Sequence, residues 1–221
     1  MVSQLIMSQQ QSKKDESLPA RTGSITRERI MSAALIEFAQ HGLSGARVDQ
    51  IAKRAGVNKA MIYYHFSSKA ALHQEIVDEN FFQILTRIHK AFSNSDLLED
   101  VLFTLVNAYA EAFSSRPEIR LIFLRGLADA ESEMINRFAD TIIASGLPKQ
   151  IVNSFKAGID QGLFRPVDVR QAFISLLSMN VGYILLAPLL DKVWDISNHD
   201  QFIAERKDAI IDLFLHGVKI K

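Results

Sequence analysis

Helical spacing of apolar residues, sustained almost without interruption from residue 24 onward, is the feature that most limits the fold. Ile30, Ala34 and Phe38 recur at i, i+4 and i+8 and share one face of a helix. No strand-like alternation persists, and no Asn-Gly or Asp-Gly hairpin signal occurs. Five prolines and ten glycines in 221 residues leave room for long helices. The spacing predicts an all-α chain. Helices are expected over about 26–41, 47–55, 59–66, 69 into the nineties, 96–113, 117–127, 131–143, 148–162, 168–186 and 200–218. Gly42 is expected to end the first.

The chain has no cysteine, which excludes disulfides and thiolate metal sites. Net charge is zero, but it is unevenly placed. Residues 21–76 carry eight Lys/Arg against four Asp/Glu, a net of +4; residues 77–221 carry fifteen against nineteen, a net of −4. A polyanion is therefore expected to meet only the front of the chain. Residues 1–23 are polar, with no sustained apolar run, and read as a disordered arm without a secretory signal. Residues 171–190 carry no charge and are long enough to span a bilayer. Asn180, Gln171, Ser175, Ser178 and Pro188 dilute that run, so a helix buried on both sides is the preferred reading.

The densest chemistry lies in "GVNKAMIYYHF", residues 56–66. The helices at 47–55 and 59–66 have helix-turn-helix spacing: Ala52 is small where the next helix crosses, and Gly56 suits a left-handed turn. Val57 and Ile62 lock the third helix to the second. At 100° per residue, Ile62 and Phe66 face inward and Ala60 and Tyr64 point away. Lys59, Met61, Tyr63 and His65 flank them. A small residue beside a flat donor, bordered by cations and hydroxyls, suits a DNA major groove and its phosphate walls.

Residues 25–72, "ITRERIMSAALIEFAQHGLSGARVDQIAKRAGVNKAMIYYHFSSKAAL", closely resemble the N-terminal DNA-binding domain of the tetracycline-repressor (TetR) family. The match rests on "AAL.EFA..G", "V..IA..AGV", "K...YYHF" and "SSK..L". The resemblance implies a DNA-binding domain over 24–70 with its motif at about 47–66, and a helical regulatory and dimerisation domain over 71–221. It implies base-facing or groove-wall roles for Lys59, Ala60, Met61 and Tyr64, and phosphate contacts from Tyr63, His65 and Lys69. Arg47 stands where many members have a hydroxyl cap, and Ala60-Met61 where many have Gly-Thr, so the operator is expected to differ. Met61 has no hydrogen bond to donate to a base.

In the regulatory part the family's core encloses a ligand pocket. Phe103, Asn107, Phe123, Met179, Asn180 and Tyr183 are the candidate lining, the polar ones because buried polar groups need partners. The helix at 168–186 has a smooth side, with Ile174, Ser175, Ser178, Val181, Gly182 and Leu185, and a bulky side, with Ala172, Phe173, Leu176, Asn180 and Tyr183. The smooth side, with Ile174, Ser178, Val181, Gly182 and Leu185 as its contacts, is expected to meet a dimer partner.

His41, His65, His73, His89, His199 and His216 form no HExxH pattern, and no phosphate-cradling glycine loop or nucleophile elbow occurs. "DAESE", residues 129–133, reads as a solvated helix start rather than a cation site. No metal, cofactor or catalytic residue is expected. The function implied is a cytoplasmic, homodimeric, ligand-responsive regulator of transcription, most simply a repressor. It would bind an inverted repeat in double-stranded DNA and be released by a small, largely apolar effector, with no membrane partner. A helical enzyme or carrier with a vestigial DNA-binding domain is the alternative, and a single-span membrane protein a third.

Overall fold

The computed structural model describes residues 18–94, 98–114, 117–128 and 133–219. Ten helices occupy these residues: α1 Leu18–Gly45, α2 Val48–Ala55, α3 Lys59–His65, α4 Lys69–Asn94, α5 Leu98–Ser114, α6 Pro117–Ala128, α7 Glu133–Ala144, α8 Leu147–Asp160, α9 Val169–Val193 and α10 His199–Val218. The described residues hold no named strand, only an isolated bridge between Phe164 and Lys219. The all-α expectation is met.

Three boundaries differ from expectation by more than two residues. α1 begins at Leu18, so residues 18–23 of the expected arm are helical, while residues 1–17 lie outside the described residues. Gly42, at φ 67° and ψ 177°, breaks the helix where predicted, and one further turn follows it to Gly45. α9 runs seven residues past 186, through Pro188, to Val193. It does so with a 61° bend between Tyr183 and Leu185. The bend is where proline puts it: Pro188 has no N–H for the carbonyl of Ile184, and its ring crowds that carbonyl. No single described helix is long and apolar enough to cross a membrane. The "DAESE" stretch lies, but for Glu133, outside the described residues.

The chain forms two compact units, Met1–Asn80 with Leu121–Arg137, and Phe81–Arg120 with Phe138–Lys221. In the first, Ile30, Ala34 and Phe38 of α1 are fully buried, as are Ile51 of α2 and Leu72 of α4. Arg125 of α6 closes the end of α1. Its Nη1 donates to the carbonyls of Phe38 and Ala39 at 3.0 and 2.8 Å, and its Nη2 to that of Gln40 at 3.3 Å. A cation on the last free carbonyls of a helix also opposes the negative end of its dipole.

His73 lies edge-on to Phe38 with ring centroids 4.9 Å apart. Burial, and then the nearby Arg137 cation, hold its imidazole below the ordinary 6.5, against a smaller opposing effect of Asp78. A depressed histidine favours the folded state while neutral and the unfolded chain once protonated. Stability should therefore be full above about pH 7 and fall as pH drops through about 6.5. His89, lowered by burial, adds to the effect. Thermal unfolding across that range should show the fall, and His73→Phe should lessen it; a flat profile in the wild-type chain would contradict this.

The second unit has a continuous apolar core. Ile84 and Ile88 of α4, Leu102 and Val106 of α5, Ile151 and Phe155 of α8, Leu176 of α9 and Phe214 of α10 all contribute. Phe155 meets Phe214 edge-on at 6.2 Å. Gly158 has a steric reason to be glycine: a Cβ there would stand 2.2 Å from a Phe164 ring carbon. Caps agree with the local sequence. Asp168 accepts from the amides of Arg170 and Gln171 at the start of α9, and Asn198 from that of Gln201 at the start of α10.

Candidate nucleic-acid interface and effector cavity

The turn between α2 and α3 follows from two residues. Gly56 sits at φ 64° and ψ 40°, the left-handed region. The Val57 amide then reaches the Ala52 carbonyl at 3.0 Å, the six-to-one bond that ends such helices. Space matters as well, because a Cβ at Gly56 would meet the Arg29 guanidinium at 2.6 Å. Asn58 then caps α3, its Oδ1 accepting from the Met61 amide at 2.8 Å. This cap was not assigned from the sequence, although Asn before a helix is the signal for one.

α3 is a single short helix held from beneath. Ile62 is 1% exposed and Phe66 3%, whereas Tyr64 is 80% exposed and Tyr63 46%. Ala60 is open beside Tyr64. Bulky, flat donors therefore stand on a helix whose other side is anchored, as groove insertion requires.

Five expected DNA contacts sit differently from the simple helical projection. Lys69 directs its Nζ onto the chain, donating to the carbonyls of Ser44 at 3.2 Å and Ala46 at 3.0 Å. It holds the end of α1, and one hydrogen of its ammonium remains for another acceptor. His65 is half-buried with Nε2 enclosed and without a hydrogen-bond partner, so that nitrogen faces away from solvent. Lys59 pairs with Asp49 of α2 at 3.1 Å, an exposed pair that DNA phosphate would compete for. Met61 is half-buried. Arg47 is exposed and its side chain makes no cap; its backbone amide donates instead to the buried Glu37 carboxylate at 3.1 Å. Sequence reasoning missed Glu37, which stands out only in retrospect as an acid among apolar residues of α1.

In the second unit, Asn180 and Tyr183 are 6% and 5% exposed. With Arg206 and Lys207 they line a small cavity closed by Ala110, Ile203 and Ile210, with a volume of about 20 Å³, room for one water. Asn180 Nδ2 donates to the Leu176 carbonyl at 2.9 Å. The Tyr183 hydroxyl donates to Asp191 at 2.9 Å and lies 3.3 Å from His199 Nδ1. Burial, then the Asp191 carboxylate, push this phenol up to about 12. The Arg206 guanidinium lies 5.0 Å from the Tyr183 ring centroid, and its Nη2 donates to the Met179 carbonyl at 2.8 Å.

The other expected lining residues do not join this cavity. Phe103 is 50% exposed. Asn107 donates to the Phe103 carbonyl of its own helix at 2.9 Å. Phe123 is buried within the first unit, and Met179 offers only its carbonyl. Arg206 was missed, yet its signal is in the spacing: Ile203, Arg206 and Ile210 share one face of α10, so a cation interrupts an apolar stripe.

On α9, Leu176, Asn180, Tyr183 and Ala187 are buried. Ser175 and Ser178 are exposed, as are Ile174 at 55%, Leu186 at 52% and Leu189 at 59%. Val181, Gly182 and Leu185 are half-exposed between them. The helix expected to be buried on both sides is thus open on one in the single chain. Among the described residues, no group of three His, Asp or Glu side chains is placed to hold a metal ion.

Comparison with known proteins agrees with this architecture. The family model described as "Bacterial regulatory proteins, tetR family" matches residues 30–76. The HTH-type transcriptional repressor SCO4008 of Streptomyces coelicolor is 30% identical over 118 residues, covering 53% of this chain and 58% of that protein. Over nearly full lengths, the HTH-type transcriptional repressor NicS of Pseudomonas putida is 26% identical, covering 90% of this chain and 95% of that one. The HTH-type transcriptional regulator RutR of Escherichia coli is 24% identical, covering 90% and 93%. Among solved structures, the ketosteroid transcriptional regulator KstR2 of Mycobacterium tuberculosis shares the fold at a TM-score of 0.70 and 20% identity, covering 88% of this chain and 95% of that one. The helix-turn-helix thus lies in the segment that matches the tetR-family model, and the all-helical remainder shares the fold of regulators similar to it.

Proposed function

We propose that this regulator is a cytoplasmic repressor that binds an inverted-repeat DNA site as a homodimer and leaves it when a small effector enters the second unit. The observation that carries the DNA-binding reading is the outward face of α3, where Tyr64, Tyr63 and Ala60 stand exposed above a buried Ile62. Dimerisation is argued from size, because one seven-residue helix reads too few base pairs. The open α9 face supports it, since contiguous apolar surface asks for a partner. Repression is favoured by the names of SCO4008 and NicS. An effector is in keeping with a fold neighbour, the FadR of Bacillus subtilis, whose structure holds stearoyl-CoA. The reading as an enzyme with a vestigial front domain fits less well, because Ala60, Tyr63 and Tyr64 still stand exposed on one side of α3.

Selection of bound sequences from random DNA, followed by footprinting, tests this reading. An inverted repeat covered by an even number of chains is expected; a single unrepeated half-site protected by a monomer would overturn it. Within the interface, Tyr64→Ala should weaken operator binding by about 1–3 kcal/mol and relax specificity at nearby bases. Its thermal unfolding should be unchanged, because the side chain is almost free of the protein. Equal losses on all DNA sequences would move Tyr64 from the bases to the phosphates.

A further inference from the structure

We infer that the effector carries an oxyanion head, a carboxylate or phosphate, which Arg206 receives in the cavity between α5, α9 and α10; this rests on the effector-responsive reading above. The cavity holds an unmatched cation. Arg206 is half-buried and its Nε–H is enclosed without a partner. Its contacts are one backbone carbonyl and the face of Tyr183. Among the described residues no carboxylate pairs with it. An arginine removed from water normally faces an acid, because the planar fork and the charge both need one. Here the fork's neighbours are donors: Lys207 lines the same cavity, and Asn180 Nδ2 has a second hydrogen beyond the one given to Leu176. Among the described residues no acidic side chain lines it. Asp191 is engaged by the Tyr183 phenol and by His199. Donors that converge without an acceptor describe the complement of an oxyanion.

Ala110, Ile203 and Ile210 supply the remaining walls, which fit a small aliphatic or aromatic body. The present cavity of about 20 Å³ takes one water, so a bound acid requires α9 or α10 to yield. The α9 bend follows Tyr183 directly, and Pro188, one turn further on, removes a backbone hydrogen bond there. Oxyanion binding would thus favour a more open arrangement over the closed one.

The experiment is calorimetric titration of the full-length chain with benzoate, phenyl phosphate and neutral benzamide, with retention of its selected operator measured in parallel. At least one of the two oxyanions should bind saturably, about tenfold or more tighter than benzamide. Which one binds identifies the head. Arg206→Gln should abolish that preference. Arg206→Lys, which keeps the charge and the fold but loses the fork, should weaken it by about tenfold. Equal binding of benzoate and benzamide, absence of saturable oxyanion binding, or affinity within about twofold of wild type in both variants would overturn the proposal. The two readings fail separately. Arg206-dependent binding without operator release would leave the site standing and remove the effector response. Release by benzamide, undiminished in Arg206→Gln, would do the reverse.

Discussion

Gly182→Leu should leave the chain folded and its dimer broken. In the single chain a Cβ at Gly182 meets nothing within 4 Å, so the protomer itself has room for the side chain. Any loss must then come from a partner. The same helix carries apolar side chains in solvent: Ile174, Leu186 and Leu189 are each more than half exposed. Ser175, Ser178 and Gly182 make the middle of this face shallow, which allows a second helix to approach closely. Filling such a contact costs about 1–3 kcal/mol per inserted side chain. Two-fold symmetry places the change twice, so about 2–6 kcal/mol is expected, roughly 30-fold to more than 10⁴-fold in the dissociation constant. Sedimentation equilibrium should show monomers with weakened operator binding. Tyr183→Phe should stay dimeric, because its hydroxyl is spent on Asp191 and His199 inside the unit. A dimeric Gly182→Leu beside a monomeric Tyr183→Phe would place the partner on the opposite face of α9.

Ile62→Ala should remove DNA binding by another route. Ile62 is 1% exposed and is the one fully buried residue of α3. α3 is seven residues long, too short to persist without packing. Truncating a buried isoleucine to alanine costs about 2–5 kcal/mol, of which the unfilled cavity is a substantial part. The melting temperature should fall and operator affinity with it, in contrast to Tyr64→Ala, where only affinity falls. An Ile62→Ala chain with a wild-type melting temperature would mean that α3 is held by its flanking turns rather than by its core contact.

The contrast between these two residues shows why the helix-turn-helix was legible in sequence. Its geometry is local. Gly56 needs its left-handed backbone for reasons contained in a few residues, Asn58 caps three residues ahead, and a 100° turn places Ile62 and Tyr64 on opposite sides whatever surrounds them. The break at Gly42, the cap at Asp168 and the inward face of α9 are local in the same sense. Where charged ends of long side chains go is not local. Lys69 and Lys59 read as free cations on a helical wheel, yet Lys69 reaches back 25 and 23 residues to carbonyls of α1 and its end, and Lys59 finds Asp49 on the neighbouring helix. Arg125 caps α1 from 85 residues away or more. Flexible stems let such groups choose among partners that only the fold brings near. The cavity depends still more on assembly. Asn180 and Tyr183 were expected inward from periodicity, but Arg206 joins them only because α10 lies against α9, and Phe103 departs because the outer face of α5 turns to solvent. Sequence alone determined the helices and the outward face of α3, since each rests on short-range backbone geometry and spacing. Tertiary structure decided which donors remain free and which cation is left without an acid, because those depend on distances between helices far apart in the chain.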